Sequence, residues 1–110
     1  MYEIEKGVKK INGEVVETYK RIVKTPSVHL AVEAGTTGYK GSASRVAGGR
    51  TYIRIVCHKG DFCFDPFFDD EGNVVGFEIG ACGDAALDTI MAAFEFAEKA
   101  INDQRCEVDD

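Results

Sequence analysis

The chain has 110 residues, 45% of them hydrophobic, with two prolines, four cysteines and a formal net charge of −6. That length holds one core in one domain, residues 1–110, and leaves no room for a second, catalytic domain. The acidic balance argues against long nucleic acid as a partner, because proteins that track a phosphate backbone usually carry a basic surface.

Met1-Tyr2-Glu3-Ile4-Glu5 offers neither a basic nor an apolar leader, and no later run approaches the roughly 18 apolar residues of a membrane span. The expectation is a cytosolic protein without membrane contact. The run Val8 to Val23 is broken by Asn12-Gly13, a pair suited to the two left-handed positions of a type I′ turn. A hairpin of strands over 8–11 and 14–23 is therefore expected. After Pro26, Val28, Leu30, Val32 and Ala34 alternate with His29 and Glu33, which predicts a third strand. Residues 35–49 carry five glycines among small polar residues and read as one long loop.

From Arg50 to Cys57 the alternation resumes, with Arg50, Tyr52, Arg54 and Val56 on one face and Thr51, Ile53, Ile55 and Cys57 on the other. Phe62 and Phe64 mark a fifth strand that Pro66 ends or pushes to an edge. Asp69-Asp70-Glu71-Gly72-Asn73 lacks calcium-loop spacing and reads as a solvated turn before a sixth strand of Val75, Phe77 and Ile79.

Gly83-Asp84 then introduces a helix over about 85–104, with Asp84 as its N-cap. At 100° per residue, Leu87, Ile90, Met91, Phe94, Ala97 and Ile101 form the stripe expected to cover the sheet. Ala86, Ala92, Ala93, Phe96 and Ala100 continue the apolar surface around the cylinder, and this face is expected to pack helix on helix between subunits. The fold class read from these elements is α+β: a twisted antiparallel sheet of about five to six strands packed on a long C-terminal helix.

Motifs for catalysis are sparse. His29 and His58 are the only histidines, and no serine or cysteine stands in a nucleophile motif, so no catalytic residue is assigned. Cys57, Cys63, Cys82 and Cys106 form no C-x-x-C pair, which suits reduced thiols, and Cys57-His58 with Cys63 is too thin a set to assign a metal. The charge distribution says more. From Ala34 to Gly60 there is no Asp or Glu, while Lys40, Arg45, Arg50, Arg54 and Lys59 make a basic island in an acidic chain. Such an island suits a compact anion, because the acidic surroundings repel an extended polyanion. Closely spaced glycines expose backbone N–H groups to phosphate oxygens, arginines add charge-assisted bonds, and Tyr39 and Tyr52 can stack on a base. No Gly-Lys-Ser/Thr follows the glycines, which argues against a nucleotide hydrolase.

Three segments carry a family resemblance: Val32-Glu33-Ala34-Gly35-Thr36-Thr37-Gly38-Tyr39, then Gly49-Arg50-Thr51-Tyr52-Ile53-Arg54-Ile55, then Gly83-Asp84 leading into Leu87-Asp88-Thr89-Ile90. Together, over about residues 28 to 104, they resemble the phage Thoeris anti-defence 1 family. The resemblance implies a non-enzymatic sponge in the cytoplasm of an infected bacterium, with no cofactor. Its ligand would be a cyclic ADP-ribose isomer, with cyclic oligonucleotides at a separate site in some members. It also implies a homo-oligomer, a dimer or a hexamer built as a trimer of dimers. The matched anchors implied at the ligand are Thr36, Thr37, Gly38, Tyr39, Arg50, Thr51, Tyr52 and Arg54. Between the anchors this chain reads Gly41-Ser42-Ala43-Ser44-Arg45-Val46-Ala47, where the family pattern carries a Gly-Gly-Asp run with a Gly-His. The competing readings are an acidic module that blocks a host factor directly and an enzyme that cleaves the signal.

Overall fold

The computed structural model describes residues 4–38 and 49–108, with side chains as far as 105. Six antiparallel strands precede one helix: β1 (Glu5–Ile11), β2 (Glu14–Lys24), β3 (His29–Thr36), β4 (Thr51–Lys59), β5 (Phe62–Phe68), β6 (Val74–Ala81) and α1 (Asp84–Val108). The α+β class expected from the sequence is what the chain adopts. The strands divide into two sheets, a four-stranded one in the order β1-β2-β3-β4 and a hairpin of β5 and β6.

Local chemistry explains the connections. Asn12 and Gly13 take φ values of 48° and 83°, the left-handed pair that a two-residue hairpin turn requires. Pro66 sits inside β5 opposite Phe77 and does not end the strand, because in a two-stranded sheet both strands are edges and a missing N–H can face outward. At the hairpin tip the Asp69 carboxylate accepts bonds from the amides of Glu71 and Asn73, both at 2.9 Å. The Asn73 amide bond, with smaller help from the other donors, lowers the Asp69 pKa below its usual value. The turn is thus supported while Asp69 is ionised, and that support is lost as pH falls below the usual carboxylate range through the lowered pKa. Faster amide exchange at Glu71 and Asn73 in acid, with β3 amides unchanged, is the expected observation.

The helix starts one residue earlier than a cap at Asp84 predicts. The Gly83 carbonyl accepts the first helical bond from Leu87 N at 3.1 Å, so Asp84 lies in the first turn, where its charge favours the N-terminal dipole. α1 lies chiefly over β3. The core joins Leu30, Val32 and Ala34 of β3 to Ala93, Phe96, Ala97 and Ala100 of α1.

This core corrects the expected division of the helix. The alanine face and Phe96, expected between subunits, pack on the chain's own sheet, with Phe96 only 8% exposed and the Arg21 guanidinium 5.7 Å from its ring centre. Of the stripe expected on the sheet, Ile90, Ala97 and Ile101 adjoin the core, but Leu87, Met91 and Phe94 are exposed. Small side chains let the helix seat closely on β3, and close packing there outweighs covering the bulkier flank. Phe96 is therefore a core residue and not an intersubunit contact.

Candidate functional site

Two features hold the residues singled out by sequence. The first is a neck where β3 runs out and β4 begins. Thr37 N donates to the Arg50 carbonyl at 3.0 Å, and Arg50 N donates back to Thr37 Oγ1 at 2.9 Å. The Thr36 hydroxyl lies 2.9 Å from that of Thr51 and accepts from Gly38 N at 3.0 Å. Gly49 is obligatory here, since a Cβ on it would stand 2.0 Å from the Gly38 carbonyl oxygen. Thr36, Thr37, Gly38, Arg50 and Thr51 are thus brought together, with all three threonine hydroxyls bonded to neighbouring backbone or to one another. Tyr39 lies outside the described residues, as does most of the expected glycine loop; Gly35 and Thr36 belong to β3.

The neck is anchored from below by a residue that sequence reasoning missed. Gln104, buried near the end of α1, accepts from Thr36 N and donates to the Glu17 carbonyl, both at 2.8 Å. It continues the small-residue stripe of Ala93, Ala97 and Ala100, and that position was the available signal.

The second feature is the sheet face turned away from α1, which carries Arg54 and Tyr52. Its neck end is concave. Arg50 Nε reaches the Ile11 carbonyl of β1 at 3.2 Å, and Lys9 of β1 sits 5.3 Å from the Tyr52 ring centre. In a flat sheet β1 and β4 would lie about 14 Å apart, beyond an arginine's reach to a carbonyl. Gly35 shows the cause: a Cβ there would meet the Glu17 carbonyl oxygen at 2.2 Å, so β2 and β3 fold toward each other on this side. Val16 and Thr18 are fully buried at this end.

Away from the neck the same face holds a recess of about 280 Å³, the size at which small-molecule pockets begin. Ile22, Ala31, Val32 and Val56 line it as apolar groups, with Glu5, Lys20, Arg21, Glu33, Arg54 and His58 as the charged and polar ones. The strand register sets Glu5, Lys20, Glu33 and Arg54 in one cross-strand row of alternating sign. Such a ladder stabilises the sheet by about 0.2–1 kcal/mol per pair. Glu33 also accepts the Thr18 hydroxyl at 2.6 Å. Arg54 ends the row, with a carboxylate across on one side only. Arg50 and Arg54 therefore do not share one cavity: Arg50 bonds to the Ile11 and Gly49 carbonyls, and Arg54 faces the recess.

Lys9, Lys20 and His58 joined this face only through strand register, which sequence reading did not supply. Cys57, Cys63 and Cys82 carry free thiols, and the Asp61 carboxylate, with its hydrogen bond, holds the Cys82 thiol above its usual pKa. A protonated thiol is a poor nucleophile. Among the described residues, no group of three or more His, Cys, Asp or Glu is placed to hold a metal ion, and no helix is long and apolar enough to cross a membrane. Comparison with protein-family models, with curated protein sequences and with solved structures gives no match to this chain.

Proposed function

We propose that this chain sequesters a phosphate-bearing cyclic signal without cleaving it, as the phage Thoeris anti-defence 1 proteins it resembles do. The ligand is a cyclic ADP-ribose isomer or a cyclic oligonucleotide, and the protein acts as a homo-oligomer in the cytoplasm of an infected bacterium. The observation that carries this reading is the recess on the outer sheet face, with apolar Ile22, Ala31 and Val56 beside Lys20, Arg54 and His58. A ribose or base rests on the apolar residues, and a phosphate takes the open side of Arg54 by charge-assisted bonds. Tyr52, with Lys9 against its ring, adds a stacking surface toward the neck.

Arg54→Ala is expected to weaken binding about tenfold to a hundredfold, since one charge-assisted bond contributes about 1.5–3 kcal/mol. Titration calorimetry against cyclic ADP-ribose isomers and cyclic di- and trinucleotides measures it. Heating the complex then returns the ligand intact from a sponge and in fragments from an enzyme. Binding to no member of the panel would favour the acidic module that blocks a host factor.

A further inference from the structure

The outer sheet face carries three successive cross-strand rows. Glu5, Lys20, Glu33 and Arg54 form the first, with alternating sign, and Ile22, Ala31 and Val56 form the second, which is apolar. The third row sets Lys24 opposite His29 and His29 opposite Lys59. Here the pairing of β3 with β4 slips. Leu30 faces Cys57 but His29 faces Lys59, so His58 is the extra residue of a β-bulge. A bulge re-aims a side chain that regular pairing would send elsewhere. His58 is exposed and lines the recess. His29 alternates with the buried Leu30 and so shares the outer face with Ala31 and Glu33. The only two histidines of the chain thus come to adjacent strands beside one end of the recess.

Charge sets this end apart from the rest of the face. The first row answers each cation with a carboxylate, whereas the third holds Lys24, His29, His58 and Lys59 and no carboxylate. The carboxylates that line the recess, Glu5 and Glu33, both belong to the first row, with Lys20, Arg21 and Arg54 as the cations there. Asp61, three residues beyond His58, is engaged with the Cys82 thiol. Lys24 also borders a groove along α1 with Asp88 and Glu95, which leaves His29, His58 and Lys59 as the basic group on β3 and β4. Like charges set opposite one another destabilise a sheet. An anion held between them removes that repulsion and takes charge-assisted bonds from lysine and protonated histidine.

We infer that His29, His58 and Lys59 form a second anion subsite, which takes a phosphate group and binds a proton on histidine as it does so. The third row lies four residues along the strands from the first, about 13 Å, so this subsite is distinct from the open side of Arg54. The inference rests on the signal-binding reading in one respect: the occupant is a second phosphate of the same ligand, whose sugar or base spans the apolar row. Histidine changes charge between about pH 5 and 8, and a neighbouring anion favours the charged ring. Binding at this end is therefore tighter on the acid side of that range and weakens as pH rises and the rings lose their protons.

Nuclear magnetic resonance of the histidine rings tests it with sulfate, which keeps both charges across that range, against chloride at equal ionic strength. His29→Gln and His58→Gln assign the two sets of ring signals. The expected result is saturable movement of the His58 ring signals in sulfate at pH 6, sulfate binding about tenfold weaker at pH 8 through loss of one charge-assisted bond, and the same response in Arg54→Ala. Ring signals that answer sulfate and chloride alike overturn the inference. So does a sulfate response lost in Arg54→Ala, which would place the anion at the first row. Calorimetry with the cyclic ADP-ribose isomers and cyclic nucleotides separates the two readings. A ligand that binds the parent and His58→Gln equally well at pH 6 sinks the second subsite and leaves the signal-binding proposal standing. Sulfate held at His58 with no member of that panel bound supports the subsite and sinks the signal-binding proposal.

Discussion

Gly35→Ala is expected to lower the melting temperature by about 15 °C or more. The added Cβ would sit 2.2 Å from the Glu17 carbonyl oxygen and 2.9 Å from Thr18 Cα, and both are backbone atoms that cannot swing aside. Overpacking usually costs about 1–3 kcal/mol when side chains can adjust, so a backbone collision belongs at about 3 kcal/mol or above. For a domain of this size each kcal/mol moves the midpoint by about 4–8 °C. Gly13→Ala serves as the control. Its φ of 83° is unfavourable for alanine, but nothing lies within 4 Å of the new Cβ, so a loss near 1 kcal/mol is expected. Equal melting points for the two variants would show that the sheet does not depend on the fold between β2 and β3. The site shares this dependence, because the same fold brings Arg50 to Ile11 and Tyr52 to Lys9.

Gln104→Ala is expected to cost about 1–3 kcal/mol or somewhat more. Its side-chain amide closes the buried Thr36 N, which left unpaired costs about 1–3 kcal/mol, and the part-buried Glu17 carbonyl, which adds a smaller cost. Urea denaturation gives the difference from the shift in midpoint at constant slope. Gln104→Glu discriminates further. It keeps an acceptor for Thr36 N but turns a second carboxylate oxygen toward the Glu17 carbonyl, so it is expected to be no better than alanine at neutral pH and to recover in acid. A Gln104→Ala variant within 0.5 kcal/mol of the parent would remove the clamp from the account of this fold.

The sheet was legible because its signals are local. Asn12-Gly13 sets a turn, alternating side chains set the strand faces, and both are properties of adjacent residues. The helix was legible in extent but not in orientation. Periodicity shows that α1 has a wide apolar arc, yet it cannot say which part of the arc meets β3, and the seating of Ala93, Ala97 and Ala100 turned Leu87 and Met91 outward. The single sheet of about five to six strands became four plus two because the Gly60-Asp61 connection turns β5 off β4, a choice no spacing rule records. Arg50, Tyr52 and Arg54 were found on one strand face, but their separation between neck and recess depends on sheet curvature. Gln104 was missed because glutamine on a helix reads as a solvent residue unless its stripe is followed to the end.

The neck also makes the protein modular. Its bonds tie 36–38 to 49–51 whatever sequence lies between, so the cost of closing that span is set at its base and rises by only about 0.6 kcal/mol when the span doubles in length. In engineering terms the paired ends at 36–38 and 49–51 are a fixed frame, from which the sheet beneath keeps its register.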